Sequence, residues 1–145
     1  LSLSPWRTNW RRTADFWWYF FRDDWDLLNF VKGIFIPGAS VCAADKTLPW
    51  REKLLELIRS IYIQGAKCKI LGTCFGLQII AEAFQGKCEK MKELVKGSSN
   101  LDISPSFWDL PYIRELNLEP RTPLLIPKSH FDAVTEAPPI ATVYA

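Results

Sequence analysis

The residues best suited to chemistry are those of the segment GTCFG at residues 72–76, where Cys74 lies between two glycines. A short apolar run at residues 68–71 leads into this segment, and an apolar helical pattern follows it at once. A side chain at such a strand-to-helix turn is pushed clear of the backbone, and the glycines make the tight approach possible. The turn also places the thiol at a helix N-terminus, where free N–H groups favour the thiolate. The pattern predicts a nucleophilic Cys74.

The remaining cysteines have no comparable setting. We expect Cys42, Cys68 and Cys88 to be small buried packing residues. The four cysteines lack the spacing of a disulfide scaffold, which favours reduced thiols and a cytoplasmic location. Because there is no C-x-x-C pair and His130 is the single histidine, we expect no metal site and no cofactor.

The composition excludes several other classes of protein. A chain of 145 residues with 48% hydrophobic and 23% charged residues can form one globular domain with a core. Its net charge of +2 is too small to predict a nucleic-acid partner. No apolar stretch has transmembrane length, and no signal peptide pattern opens the chain. We therefore expect neither nucleic acid nor a membrane as a partner.

An aromatic-rich segment occupies residues 1–29 and contains five of the seven tryptophans. Its apolar positions fit a helical stripe, whereas residues 16–21 also fit a buried strand. Arginines among the tryptophans are compatible with a nucleic-acid surface, but nearby aspartates cancel the positive potential of these arginines. An aromatic core segment is the favoured interpretation. We place the domain boundary after this segment, so that residues 30–145 form the second part.

Strands and helices alternate in the first half of that second part. The apolar run at residues 33–36 is broken by residues 37–40, as at the end of a buried parallel strand. A helix is predicted from Pro49 to about Ile63, with a charged face that includes Arg51. Its buried stripe is predicted to consist of Leu54, Leu57, Ile58 and Ile61. We call the turn at residues 72–76 the elbow. The helix after it is predicted to bury Leu77, Ile80, Ala81 and Phe84 and to end at Gly86.

This alternation is typical of an α/β domain with a parallel sheet. In such a sheet the carboxyl ends of neighbouring strands lie at the same edge, so we expect residues 37–40 close to Cys74. The pattern is weaker after Gly86. It predicts short strands at residues 87–91, 98–103, 123–127 and 140–145, and a helix at residues 107–116 that Pro111 interrupts.

With these elements in place, residues 30–145 resemble the class I glutamine amidotransferase domain, and in particular its stand-alone γ-glutamyl peptidase-like group. The resemblance rests on the strand and loop at residues 33–40, the helix opening at Pro49, residues 71–78 around the elbow, and the segment SHFD at residues 129–132. It implies a three-layer, flavodoxin-like α/β fold in incomplete form. That fold has a mostly parallel sheet with helices on both faces.

The resemblance also implies a mechanism. Cys74 would attack a γ-glutamyl carbonyl, and water would hydrolyse the resulting glutamyl thioester. The implied oxyanion hole consists of the N–H of Phe75 and that of Gly38 or Ala39. The implied substrate is a small γ-glutamyl compound, such as glutamine or a glutathione-like conjugate. No acceptor for ammonia or for the glutamyl group is implied.

Two residues of the implied site keep alternatives open. Gln78 matches a family position that helps to hold the glutamyl group, and it also fits a glutamine on a helix surface. His130 matches the histidine of the S-H-x-D segment, which is interpreted as a residue of the pocket rim that binds substrate rather than as the general base.

The family's catalytic histidine and glutamate lie in a later H-P-E segment, which is absent from these 145 residues. We therefore expect a C-terminally truncated domain that is a very poor glutaminase or γ-glutamyl hydrolase. One alternative is a catalytically degenerate binding or structural protein with the same fold. Another is a different cysteine chemistry on a doubly wound fold, such as a thiol sensor.

Overall fold

A computed structural model describes residues 31–64, 67–117, 120 and 123–145 of the chain. The aromatic-rich segment at residues 1–29 lies outside the described residues. The elements in the described ranges are β1 (Gly33–Ile36), α1 (Arg51–Ile63), β2 (Lys69–Gly72), α2 (Phe75–Ala83), β3 (Lys87–Leu101), α3 (Pro105–Trp108), α4 (Pro111–Arg114) and β4 (Leu124–Glu136). The order strand, helix, strand, helix up to Ala83 confirms the predicted α/β class.

The first two strands form a parallel pair, in which Gly33 is opposite Lys69 and Ile36 is opposite Gly72. Because both strands end at the same edge, the loop after β1 and the elbow after β2 are neighbours. Side chains alternate across the pair. Phe35 and Leu71 are opposite each other and are 59% and 64% exposed. The isoleucines of both strands are half-buried on the side of the helices.

The core forms where the two long helices meet this parallel pair. Its buried members are Ala43, Leu55, Ile58, Phe75, Ile79 and Ala83. The stripe predicted for α1 is correct at Ile58 and Ile61, and Leu55 replaces Leu54 as the most deeply buried leucine. Helix packing therefore rotates the buried face by about one residue from the face that periodicity predicts.

Arg51 was expected on the solvent side of α1, and the structure shows it buried, with 3% of its surface exposed. Its guanidinium donates to the carbonyl oxygen of Ala43, to the adjacent Glu52 and, at 2.7 Å, to Glu82 on α2. A buried arginine is tolerated when its charge is paired and its donors are used. Arg51 thereby connects α1 to α2 and to the loop after β1.

The stripe predicted for the helix after the elbow is correct in part. Ala81 is buried, and Ile80 and Phe84 are partly buried against the core. Leu77 is 56% exposed, whereas Gln78 and Ile79 are buried. The reason is that α2 packs against β3 and β4 as well as against the parallel pair. A helix in contact with two sheets buries positions that a single apolar stripe does not include.

The last two long strands form an antiparallel ribbon. Strand β3 is continuous over residues 87–101, where two short strands were predicted, and β4 extends well beyond the predicted residues 123–127. Pairing runs from Lys87 opposite Glu136 to Leu101 opposite Leu124, with shifts of register between them. Backbone pairing across the ribbon thus extends strands whose own sequence is too polar to predict them.

The rest of the described chain is short helices and irregular structure. The interruption predicted at Pro111 is correct, because α3 ends at Trp108 and α4 begins at Pro111. Residues 140–145 are not a strand. They are fixed in part by the hydrogen bond from the Ser104 N–H to the Tyr144 carbonyl at 2.7 Å. No helix in the described part of the chain combines the length and the apolar composition needed to cross a bilayer.

Candidate active site

Cys74 occupies the sharp turn between β2 and α2. Its backbone has φ 53° and ψ −113°, a conformation that costs a non-glycine residue about 1–3 kcal/mol. The Thr73 N–H donates to the carbonyl oxygen of Ile36 at 3.1 Å, which ties the turn to the end of β1. The thiol side chain is exposed. The surrounding structure therefore holds Cys74 in a strained backbone conformation with its sulfur open to solvent.

The glycines on either side of Cys74 are required by close packing. A β-carbon on Gly76 would lie 1.9 Å from the carbonyl oxygen of Ile36. A β-carbon on Gly72 would lie 2.4 Å from the backbone of Gly76. Backbone atoms cannot move aside as a flexible side chain can, so both positions require glycine. Because both positions are glycine, the start of α2 can pack directly against the ends of β1 and β2.

The loop after β1 faces the thiol, as the strand order predicted. A β-carbon on Gly38 would lie 3.3 Å from Cβ and 3.5 Å from Sγ of Cys74. Ala39 lines the same cleft as Cys74. The structure therefore brings Gly38 close to the Cys74 side chain and Ala39 to the same cleft.

Phe75 begins α2 directly after Cys74. Its N–H is among the first of the helix, which have no acceptor within the helix. The Phe75 ring is buried and packs edge-on against Trp50, with the ring centroids 5.8 Å apart. This packing fixes the helix start, so that the Phe75 backbone is anchored beside Cys74.

An open cleft of about 550 Å³ extends from the thiol. Four parts of the chain line it: residues 39–42 after β1, Cys74 and Gln78, Lys90 and Leu94 of β3, and residues 129–132 of β4. Most of the predicted site residues, including His130, meet in this one cleft. Gly38 and Phe75 do not line the cleft themselves, but both lie next to Cys74, which does.

Gln78 connects α2 to the ribbon. Only 6% of its surface is exposed, so the alternative of a helix-surface glutamine is wrong. Its Nε2 donates to the carbonyl oxygen of Asp132 at 2.9 Å, and its own backbone carbonyl accepts from the thiol of Cys88 at 3.3 Å. Gln78 therefore sets the position of β4 relative to the elbow.

His130 contacts the same carbonyl. Its Nδ1 lies 3.0 Å from the carbonyl oxygen of Asp132. Because a carbonyl oxygen can only accept, Nδ1 carries the hydrogen, and in the neutral ring Nε2 is then the acceptor. Among the described residues, no hydrogen bond joins His130 to Cys74. The structure brings both side chains to the cleft without pairing them.

The other three thiols have raised pKa values. Burial raises the pKa of Cys42, and the Asp132 carboxylate next to it raises that pKa further. Burial also raises the pKa of Cys68. For Cys88, burial together with the Glu82 carboxylate raises the pKa to about 12. These shifts oppose thiolate formation at Cys42, Cys68 and Cys88.

Sequence reasoning did not place Cys42 or Lys90 in the cleft. Cys42 was interpreted as packing, yet it is half-buried and lines the cleft beside Asp132. Lys90 was not singled out at all, because a lysine in a polar segment carries no signal of its position. Only the pairing of β3 with β4 brings Lys90 to the cleft.

Comparison with known proteins agrees with this geometry. The family model for class I glutamine amidotransferases matches residues 12–136, which is well over half of the chain. The chain belongs to this family. The matched region begins inside the aromatic-rich segment, so part of residues 1–29 is included in the amidotransferase match.

Individual relatives cover the chain only in part. A glutamine amidotransferase-like protein of Schizosaccharomyces pombe is 36% identical over 53 residues, which are 37% of this amidotransferase chain and 21% of that protein. A glutamine amidotransferase of Thermotoga maritima has a TM-score of 0.57 at 20% identity, covering 74% of this chain and 44% of its own. One from Methylobacillus flagellatus has a TM-score of 0.57 at 23% identity, covering 77% and 41%.

These structural likenesses establish the class I glutamine amidotransferase fold, as the sequence resemblance implied. The chain spans about a fifth of the length of the yeast relative and less than half of the length of these two solved structures. Among the described residues, no group of three or more His, Cys, Asp or Glu side chains is arranged to hold a metal ion.

Proposed function

We propose that this amidotransferase domain acts on γ-glutamyl amide or peptide bonds through a thioester on Cys74. The observation that supports the proposal best is the strained elbow, in which Cys74 has φ 53° and an exposed thiol. A buried packing cysteine needs no such conformation. Strain of this kind persists where the surrounding structure imposes it, and it is concentrated at functional sites.

The proposed reaction has two steps. The Cys74 thiolate attacks the γ-carbonyl carbon, a C–S bond forms, and the carbonyl oxygen becomes an oxyanion. The intermediate collapses with cleavage of the C–N bond, and the departing amine takes up a proton from water. Water then attacks the glutamyl thioester, which releases the γ-carboxylate and returns the thiol.

The backbone around the sulfur is suited to hold the oxyanion. The Phe75 N–H lies at the helix start, and the loop of Gly38 and Ala39 lies close to Cys74. Backbone N–H donors next to the attacked carbonyl stabilise a tetrahedral intermediate. We assign the oxyanion hole to these three backbone positions.

Gln78 and His130 form the wall of the proposed substrate cleft. Both contact the carbonyl oxygen of Asp132; the bond from Gln78 joins α2 to β4, whereas the contact of His130 lies within β4. The substrate we propose is a small γ-glutamyl compound, such as glutamine or a glutathione-like conjugate. All four cysteines are free thiols, which supports a cytoplasmic location.

A catalytically degenerate binding protein is the second candidate. It is favoured by the lack of any hydrogen bond between Cys74 and a base among the described residues. Removing members of a catalytic triad costs several orders of magnitude in rate. We therefore expect slow turnover by the 145-residue chain, even if Cys74 is acylated.

The test is hydrolysis of glutamine and of a γ-glutamyl peptide, together with mass spectrometry of the protein. The proposal expects a glutamyl adduct on Cys74 and slow hydrolysis that Cys74→Ala abolishes. Cys42→Ala is the matched control, because it removes another thiol of the same cleft. No adduct and no Cys74-dependent turnover would favour the binding protein. Robust turnover that His130→Ala abolishes would make His130 the general base.

A further inference from the structure

We propose that Lys90 binds the α-carboxylate of the glutamyl group and thereby selects the substrate; this inference rests on the proposed function. Lys90 lies on β3 and lines the same cleft as Cys74. Its role would be recognition, because nothing places it in contact with the reacting carbonyl.

An irregularity in the ribbon puts Lys90 in this position. Lys90 is opposite Asp132, and the next pair along the ribbon is Val95 opposite His130. Residues 91–94 of β3 therefore stand opposite Phe131 alone. Lys90 precedes this bulge and Leu94 ends it, and both line the cleft. Bulges of this kind redirect side chains and occur next to active sites.

The charge of Lys90 is available to a ligand. Lys90 is the only lysine or arginine among the described residues that line the cleft, and its side chain is exposed. It forms no salt bridge with any described residue, including its cross-strand partner Asp132. By contrast, Lys87 of the same strand pairs with Glu89 at 2.9 Å and Glu136 at 3.5 Å. The ribbon neutralises Lys87 and leaves Lys90 unpaired.

A γ-glutamyl substrate supplies the matching charge. When its γ-carbonyl is at Cys74, its α-carbon carries a carboxylate and an ammonium group further along the cleft. A lysine ammonium recognises a carboxylate as a compact point charge through a charge-assisted hydrogen bond. The chemistry of the cleft therefore favours substrates with a free α-carboxylate over otherwise identical substrates in which that group is an amide.

Steady-state kinetics with a matched pair of substrates test the inference. The pair is a γ-glutamyl anilide with a free α-carboxylate and its α-carboxamide analogue. Lys90→Met should raise KM for the carboxylate substrate about tenfold and leave the KM of the carboxamide unchanged. Lys90→Arg keeps the positive charge, so its KM for the carboxylate substrate should be close to that of the wild type. Lys92→Met is the control, since Lys92 is exposed on β3 and does not line the cleft. An equal effect on both substrates, or none, overturns the inference.

A second measurement separates this inference from the proposed function. The rates at which iodoacetate and iodoacetamide alkylate Cys74 are compared at low ionic strength, where surface charges act over longer distances. Lys90→Met should lower the ratio of the iodoacetate rate to the iodoacetamide rate about threefold, whereas Lys92→Met should leave this ratio unchanged. If no substrate is hydrolysed, the proposed function fails, and this ratio alone decides on Lys90. An unchanged ratio refutes the role of Lys90 as the anion-attracting group of the cleft.

Discussion

Gly76 packs so closely against Ile36 that a β-carbon on Gly76 would lie 1.9 Å from the carbonyl oxygen of Ile36. This contact seats the start of α2 directly on the end of β1. The same carbonyl oxygen accepts the Thr73 N–H at 3.1 Å. The position of the elbow, and with it that of Cys74, therefore depends on the contact between Gly76 and the end of β1.

Gly76→Ala is expected to destabilise the domain by about 3 kcal/mol, because the added methyl group collides with rigid backbone. The measurement is urea-induced unfolding followed by circular dichroism. Gly33→Ala is the control, since a β-carbon there would lie 3.5 Å from the Lys69 carbonyl oxygen, an ordinary contact. Similar stability of the two variants would contradict the packing argument.

Cys74 is expected to react with iodoacetamide before the other thiols at neutral pH. It is exposed, whereas Cys68 and Cys88 are buried and Cys42 is half-buried with a raised pKa. Peptide mass spectrometry after limited labelling gives the order. In urea all four thiols should react at similar rates. Equal labelling in the folded protein would remove the case for an activated Cys74.

Gln78→Leu is expected to cost about 1 kcal/mol, because it removes the donor on α2 from the Asp132 carbonyl and leaves only Nδ1 of His130 within β4. It should also loosen the ribbon, which hydrogen exchange of the β3 and β4 amides measures. Gln64→Leu changes the same residue type at an exposed position and should be neutral. Unchanged exchange in Gln78→Leu would show that the hydrogen bond does not position β4.

Cys88 is expected to make stability depend on alkaline pH. Its pKa is raised to about 12 in the folded protein, so the folded state keeps a proton that the unfolded state loses near pH 9. The stabilisation is present below about pH 9 and is lost as pH rises towards 12. The difference in unfolding free energy between the wild type and Cys88→Ala should therefore become smaller between pH 8 and 10.5. A constant difference would contradict the shift.

The sequence by itself determined the geometry of the elbow. Strand, Gly-x-Cys-x-Gly turn and helix are adjacent along the chain, so Cys74 and its setting follow from local sterics and periodicity. The parallel pairing of β1 with β2, and hence the approach of Gly38 to Cys74, followed from strand order. These are rules of connection that short, alternating elements obey.

Only the tertiary structure decided what surrounds the thiol. Strand β3 is too polar to be predicted over its full length, and its pairing with β4 gives the cleft Lys90 and His130. The burial of Arg51 and Gln78, and the exposure of Leu77, likewise depend on elements distant in sequence. Periodicity reports one apolar face of a helix, whereas burial of polar side chains requires partners such as Glu82 and the Asp132 carbonyl, which only folding brings within reach.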